Sequence, residues 1–295
     1  MRSLLAAIMM FTRLPLWRIV NVDKRYFTDV IKYWPLVGFL TGTVTGGVLW
    51  LAAQIVPLEV ACILAIIARI LLTGALHEDG LADFFDGFGG GTSKEKILAI
   101  MKDSHIGCYG TIGLVLYFIL YYSLLSSFDP AMIFPIVIAA DCFSKLCAAV
   151  MVNTLPYVRK EEESKTKLVY SKVRTFIFVI VGLITLIPFF FLKDASFCFA
   201  MIPAILTAIG LRFFLKIKIG GYTGDCCGAS VLIIEQVFYL SDLVSPSIFV
   251  LILCILRDHS VNVVKKIEKV TCEMCSKEKL FIFMGKVYYE DLILV

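Results

Sequence analysis

Polar and apolar positions along the 295-residue chain fall in long blocks, not in the short alternation of a strand or the half-and-half stripe of a surface helix. A bilayer-crossing helix needs about 20 apolar residues, with a range of about 17–25. Blocks of that size are predicted at Tyr33–Val56, Leu58–Leu76, Ile106–Phe128, Pro130–Val152, Val173–Leu192, Ser196–Leu215 and from Cys226 towards Leu256. Backbone groups in lipid must be satisfied within the segment, so each block reads as helix. The last is interrupted by Ser241, Asp242 and Pro246, which leaves it long for one span and short for two. Gly38, Gly42, Gly46 and Gly47 in the first block are expected to let a neighbouring helix come close. The predicted fold is an all-α, polytopic membrane helix bundle of about seven spans over residues 1–256. Residues 257–295 form a polar C-terminal extension with no assigned role.

The connections alternate between very short and long. Pro57, Asp129 and Lys193–Ala195 join spans on one side, and residues 1–32, 77–105, 153–172 and 216–225 lie on the other. Arg13, Arg18, Lys24, Arg25, Lys94, Lys96, Arg159, Lys160, Lys165 and Lys167 all fall on the long-loop side, against Lys193 alone opposite. The positive-inside rule then makes the long loops cytoplasmic. Composition agrees with the blocks: 59% of residues are hydrophobic, 18% are charged, and mean hydropathy is +0.88. A soluble domain carries about 45–50% apolar residues. No cleavable signal peptide is expected. Cys62, Cys142, Cys147, Cys198 and Cys254 lie in apolar blocks, and Cys272 and Cys275 form a single C-x-x-C without the second pair a zinc site wants.

The chemistry concentrates in residues 73–91. Asp79, Asp83 and Asp86 are spaced i, i+4, i+7, within about 60° of one another on a helix, with Leu81, Phe84, Phe85 and Phe88 on the other side. No Lys or Arg lies in the segment to relieve the repulsion, and oxygen ligands suit magnesium, calcium or manganese. Gly80 and Gly87 weaken the helix. Thr92 to Glu95 reads as a capping box opening a short helix. Asp103 then sits at the next span's mouth, either joining the acidic group or capping that helix. Gly89, Gly90 and Gly91 suit a phosphate approach or a plain turn. A glycine-rich turn, residues 220–229, precedes the last block, with Arg212, Lys216 and Lys218 just before it. Asp141 and Lys145, i and i+4 inside one span, read as a mutual ion pair.

Three stretches together resemble adenosylcobinamide-GDP ribazoletransferase, the cobalamin synthase family: T-G-A-L-H-E-D-G-L-A-D-x-x-D-G at 73–87, I-M-K-D-S-x-I-G-x-Y-G at 100–110, and G-G-Y-T-G-D-x-x-G-A at 220–229. Phe11–Pro15 and Trp34–Gly38 fit the same pattern, and the likeness covers roughly residues 1–243. Lys102 and Lys145 stand where the family usually has Arg, which keeps the charge and loses the bidentate fork. The resemblance implies joining of adenosylcobinamide-GDP to α-ribazole or its 5′-phosphate, with release of GMP and a need for Mg2+. It implies a multi-pass protein in the cytoplasmic membrane of a prokaryote, with the lipid bilayer as surroundings and no nucleic acid as partner. Self-association and association with other enzymes of cobalamin synthesis are both left open. The implied catalytic set is Asp79, Asp83, Asp86 and Asp103, the first three also holding the metal. The implied substrate contacts are His77, Lys102, Ser104, Arg159, Gly221, Thr223, Gly224 and Asp225. A CDP-alcohol phosphotransferase is the first alternative, but its D-G-x-x-A-R motif differs from Asp79–Asp83 here. A transporter with functional carboxylates near the midplane is the second.

Overall fold

A computed structural model describes residues 2–159, 170–192 and 197–257. Lys160, Lys165, Lys167, the Lys193–Ala195 connection and the extension beyond Arg257, including Cys272 and Cys275, lie outside the described residues. Among the described residues ten α-helices follow in order: α1 Arg2–Phe11, α2 Trp34–Ala52, α3 Leu58–Thr73, α4 Leu76–Gly90, α5 Lys94–Ile100, α6 Cys108–Ser126, α7 Ile133–Asn153, α8 Thr175–Thr185, α9 Phe197–Lys218 and α10 Gly224–Arg257. A 3-10 stretch, Lys24–Tyr33, leads into α2.

Among the described residues, five helices are long and apolar enough to cross a membrane, and the bent pair α3–α4 makes a sixth if counted as one span. The span expected at Val173–Leu192 differs: α8 ends at Thr185 and a 3-10 turn, Ile187–Phe191, follows. Pro188 is the physical reason, because it removes a backbone donor and crowds the preceding turn. The last apolar block is one continuous helix, α10, and not two.

At the centre, α2 and α7 cross at a glycine stripe. A Cβ on Gly38 would sit 2.7 Å from Cys142 Cα, and one on Gly42 would sit 2.8 Å from Ile138 Cα. Gly46 faces Phe134 in the same row, while Gly47 is less crowded. Outward-facing apolar residues such as Ile63, Ile67, Leu116, Ile119, Leu183, Ile202 and Leu206 remain exposed, as a lipid-facing surface requires.

The interior also holds charge. Arg69 on α3 makes two hydrogen bonds to Glu235 on α10, at 2.7 and 2.6 Å, and a third to the Tyr121 hydroxyl at 2.9 Å. The Tyr239 hydroxyl donates to the same glutamate at 3.2 Å. On α7, Lys145 pairs with Asp141, which also accepts from Thr41 on α2. Arg69 reaches Asp141 at 3.9 Å, so the two pairs form one network. The Asp141–Lys145 pair is as expected, whereas Arg69 and Glu235 are an addition to it. Buried ionisable groups in lipid are tolerated when paired in this way.

Candidate functional site

The acidic motif is helical, as its spacing predicts. It is α4, a helix that leaves α3 at 91° and packs against the bundle. The break is made by Gly74 at φ 66° and Ala75 at φ 56°, two successive left-handed residues. Such a conformation suits glycine and strains alanine. The Gly74 N–H still donates to the Ile70 carbonyl at 2.7 Å, closing α3. The Arg13 N–H binds the Leu72 carbonyl at 2.7 Å, which ties the N-terminal segment to the same corner.

The glycine of Asp79-Gly80 is a contact point. A Cβ there would lie 2.8 Å from the Asp225 carbonyl, and one on Gly228 would lie 3.1 Å from His77 Cα. Glycine inside a helix is unfavourable by roughly 1 kcal/mol relative to alanine. Here it lets α4 and the first turns of α10 touch backbone to backbone. The apolar side of α4 packs as its pattern demands, with Phe88 meeting Phe84 at 4.6 Å and Phe214 of α9 at 4.7 Å between ring centroids.

A cavity opens at this junction. Its wall comes from the end of α1 (Met10, Phe11), the start of α2 (Trp34), the start of α4 (His77, Asp79), the segment after α7 (Tyr157, Arg159), Tyr170, and the start of α10 (Gly224, Asp225). Phe11, Trp34 and His77 lie nearly parallel, within 15°, with centroids 5.0–6.5 Å apart. Arg159 Nη1 stands 3.2 Å from Asp225 Oδ2. The segment carrying Arg159 is clipped in place: the Tyr222 N–H donates to the Pro156 carbonyl at 3.0 Å and the Val158 N–H to the Tyr222 carbonyl at 3.1 Å. Burial holds the Tyr170 phenol well above its ordinary pKa, so it stays protonated.

Apart from Asp83 and Asp86, the residues expected to act together separate into three groups. His77, Asp79, Arg159, Gly224 and Asp225 line the cavity. Thr223 and Gly221 build the turn beside it. The Thr223 hydroxyl accepts from the Cys226 N–H at 3.3 Å, as an N-cap, and Gly221 packs on the Pro156 carbonyl where any side chain would collide. Lys102, Asp103 and Ser104 form an exposed turn before α6 and are not part of the cavity wall. Asp103 accepts from the His105 N–H at 3.0 Å and meets its Nδ1 at 2.7 Å, and this bonding holds the Asp103 carboxyl below its ordinary range.

Asp86 is buried, and both its oxygens accept backbone bonds at the start of α6, from Gly107 at 2.7 Å and Gly110 at 2.8 Å. Asp79 is exposed and Asp83 half-buried. Among the described residues, no three His, Cys, Asp or Glu side chains come together as a ready metal cage. Asp79 lines the cavity, whereas Asp86 is held at the start of α6. Asp86 turns towards α6, whose unpaired N–H groups bind a carboxylate well. The short helix α5 is capped by Ser93, which accepts from the Lys96 N–H at 3.3 Å, one residue later than expected.

Sequence reasoning missed Trp34 as a cavity residue, and it missed Arg69 and Glu235. The signal for the latter two was present, since each is a lone charge inside an apolar block, the same sign that pointed to Asp141 and Lys145. Asp141 and Glu235 are also the intramembrane carboxylates that a transporter would require, but each is paired with a cation inside packed helices and neither lines the cavity.

The chain is similar to known proteins over most of its length. The adenosylcobinamide-GDP ribazoletransferase of Shewanella sp. (strain W3-18-1) is 40% identical over 254 residues, covering 83% of this chain and 94% of the relative. The protein of the same name from Shewanella putrefaciens gives the same figures. That from Shewanella oneidensis is 38% identical over 239 residues, 78% of this chain and 88% of the relative. No solved structure matches. The family model described as cobalamin-5-phosphate synthase matches residues 3–243, which takes in every wall of the cavity, and the chain belongs to that family.

Proposed function

We propose that this protein joins adenosylcobinamide-GDP to α-ribazole or its 5′-phosphate and releases GMP, in the assembly of the nucleotide loop of cobalamin. The observation that carries the reading is the meeting of Asp79, Arg159 and Asp225, from three distant parts of the chain, on one aromatic-walled cavity. At about 100 Å³, that cavity admits a fragment of either substrate and leaves the rest over its mouth.

In the reaction, the ribazole hydroxyl oxygen bonds to the phosphorus attached to cobinamide. The bond from that phosphorus to the oxygen bridging to GMP breaks, and GMP leaves with the electron pair. Such transfers depend on positioning and charge neutralisation more than on covalent help. Arg159 supplies a fixed positive fork beside the phosphates. The starts of α4 and α10 add the positive ends of two helices. Asp83, one turn along α4 from Asp79 on the same face, takes the hydroxyl proton.

Magnesium fits this donor set. Mg2+ keeps several waters and takes one or two protein carboxylates together with substrate phosphates, so a preformed cage of three is not required. Asp79 and Asp225 would hold it at the cavity, while Asp86, with both oxygens engaged by α6, suits the role less. When bound, it would neutralise charge on the pyrophosphate and polarise the attacking hydroxyl. The chain sits in the cytoplasmic membrane with the cavity on the cytoplasmic side, a reading supported by the Lys/Arg bias of the long loops.

The test is release of GMP by the purified protein from adenosylcobinamide-GDP. The expected result is release that depends on both α-ribazole and magnesium. Absence of release, or release unaffected by omitting ribazole, refutes the reading.

A further inference from the structure

Four of the ten buried side-chain polar atoms without a hydrogen-bond partner among the described residues belong to this one cavity: Trp34 Nε1, both ring nitrogens of His77, and Arg159 Nη2. Trp34 and His77 are each 1% exposed and Arg159 is 8% exposed. Proteins leave few buried polar groups unsatisfied, and a cluster of them calls for an unseen partner. Around these atoms Met10, Phe11, Ile31, Tyr157 and Tyr170 make an apolar and aromatic wall, and the carboxylates of Asp79 and Asp225 complete the cavity. Few polar anchors in an aromatic surround describe a site for a flat, weakly polar ring.

We infer that this cavity is the base subsite for the acceptor, taking the benzimidazole ring of ribazole, with Trp34 and His77 as its hydrogen-bonding anchors and the aromatic wall against its plane. The inference rests on the proposed function and adds which part of which substrate enters. Two bases compete for the place, the benzimidazole of ribazole and the guanine of the GDP donor. A benzimidazole nucleoside offers one ring nitrogen as acceptor and otherwise carbon. The Trp34 N–H or the protonated nitrogen of His77 satisfies it. Guanine carries several N–H donors along its edge. The other acceptors in the cavity, the carboxylates of Asp79 and Asp225, are engaged with the phosphates in the proposed function, so beside Trp34 the imidazole of His77 is the single acceptor and most of those donors would stay unpaired. Ring entry at Trp34 and His77 leaves the ribose and phosphate towards Asp79, Arg159 and Asp225, where the proposed chemistry lies.

The experiment has a kinetic and a binding arm. In the kinetic arm, Trp34→Phe and His77→Phe are assayed for GMP release with each substrate varied in turn. Loss of a buried hydrogen bond to the base should raise KM for ribazole about tenfold and leave KM for adenosylcobinamide-GDP unchanged. In the binding arm, free benzimidazole is titrated into the intact wild-type protein in detergent while tryptophan fluorescence is followed. Benzimidazole should quench the buried Trp34, ribazole should compete with it, and guanosine should not. Trp34→Phe should lose the quench while keeping the signal of the more exposed Trp17 and Trp50. The inference is overturned if the variants raise KM for the GDP donor instead, if neither KM moves, or if guanosine displaces benzimidazole. The binding arm needs no turnover, so it still decides the occupant if GMP release itself fails and the proposed function falls.

Discussion

Replacing Asp86 by asparagine separates two roles that the sequence cannot tell apart. As a magnesium ligand, Asp86 would matter for metal dependence. The structure instead bonds both its oxygens to α6, at 2.7 and 2.8 Å. Asparagine keeps one acceptor oxygen and points an NH2 group at the second backbone N–H. One charge-assisted bond is lost, one is weakened to a neutral bond, and a buried N–H is left facing a donor. Hydrogen bonds to charged groups contribute about 1.5–3 kcal/mol each, which puts the destabilisation at about 2–4 kcal/mol. Glycine at 107 and 110 leaves no side chain to take over the cap. The assay is thermal unfolding in detergent beside a magnesium titration of GMP release. Asp86→Asn should melt several degrees lower, and its folded fraction should keep the wild-type magnesium midpoint. An unchanged melting temperature with a raised magnesium requirement would refute the capping role and return Asp86 to the metal.

Three further outcomes follow from the packing. Gly80→Ala places a Cβ 2.8 Å from the Asp225 carbonyl, so α4 and α10 must part; overpacking of this kind costs about 1–3 kcal/mol, and GMP release should fall along with melting temperature. Glu235→Gln takes the paired carboxylate from Arg69, leaving it Tyr121 and the more distant Asp141, and should destabilise by about 3 kcal/mol, whereas Arg69→Met combined with Glu235→Met should recover much of the loss in the same unfolding assay. Asp103→Asn removes an exposed contact to His105; because that contact lowers the Asp103 pKa, its contribution exists above the unfolded value near 3.8 and fades only as pH falls through the folded value. Between pH 6 and pH 8 on the order of a threefold change at most is expected in GMP release, with no change in the pH profile.

Hydrophobic blocks reported the spanning helices well. Tyr33–Val56 became α2, Trp34–Ala52, and Ile106–Phe128 became α6, Cys108–Ser126, because helix length and apolar content are local properties. The motif spacing likewise exposed the acidic face of α4. What stayed hidden depends on partners far along the chain. Arg69 and Glu235 are 166 residues apart, and only the packed bundle brings them into register. α4 meets α10 where Gly80 touches Asp225, turns Asp86 to α6 and leaves Asp79 at the cavity, contacts that no periodicity encodes. Trp34 opens an apolar helix, and in the sequence it is only part of the Trp34–Gly38 match to the family pattern. Its cavity role appears only when α1 and α4 set Phe11 and His77 beside it.

The central claim is that the cavity joining α4 to α10 is where ribazole transfer takes place. It is tested most directly by GMP release across a magnesium titration in Asp79→Asn and Asp225→Asn, with folding verified by a cooperative melting transition. Losing a fixed electrostatic contact at the reacting phosphates typically lowers turnover about 10²–10³-fold. Both variants are expected to fall by at least about that much and to need more magnesium. Near-wild-type turnover with an unchanged magnesium midpoint in either folded variant would contradict the claim.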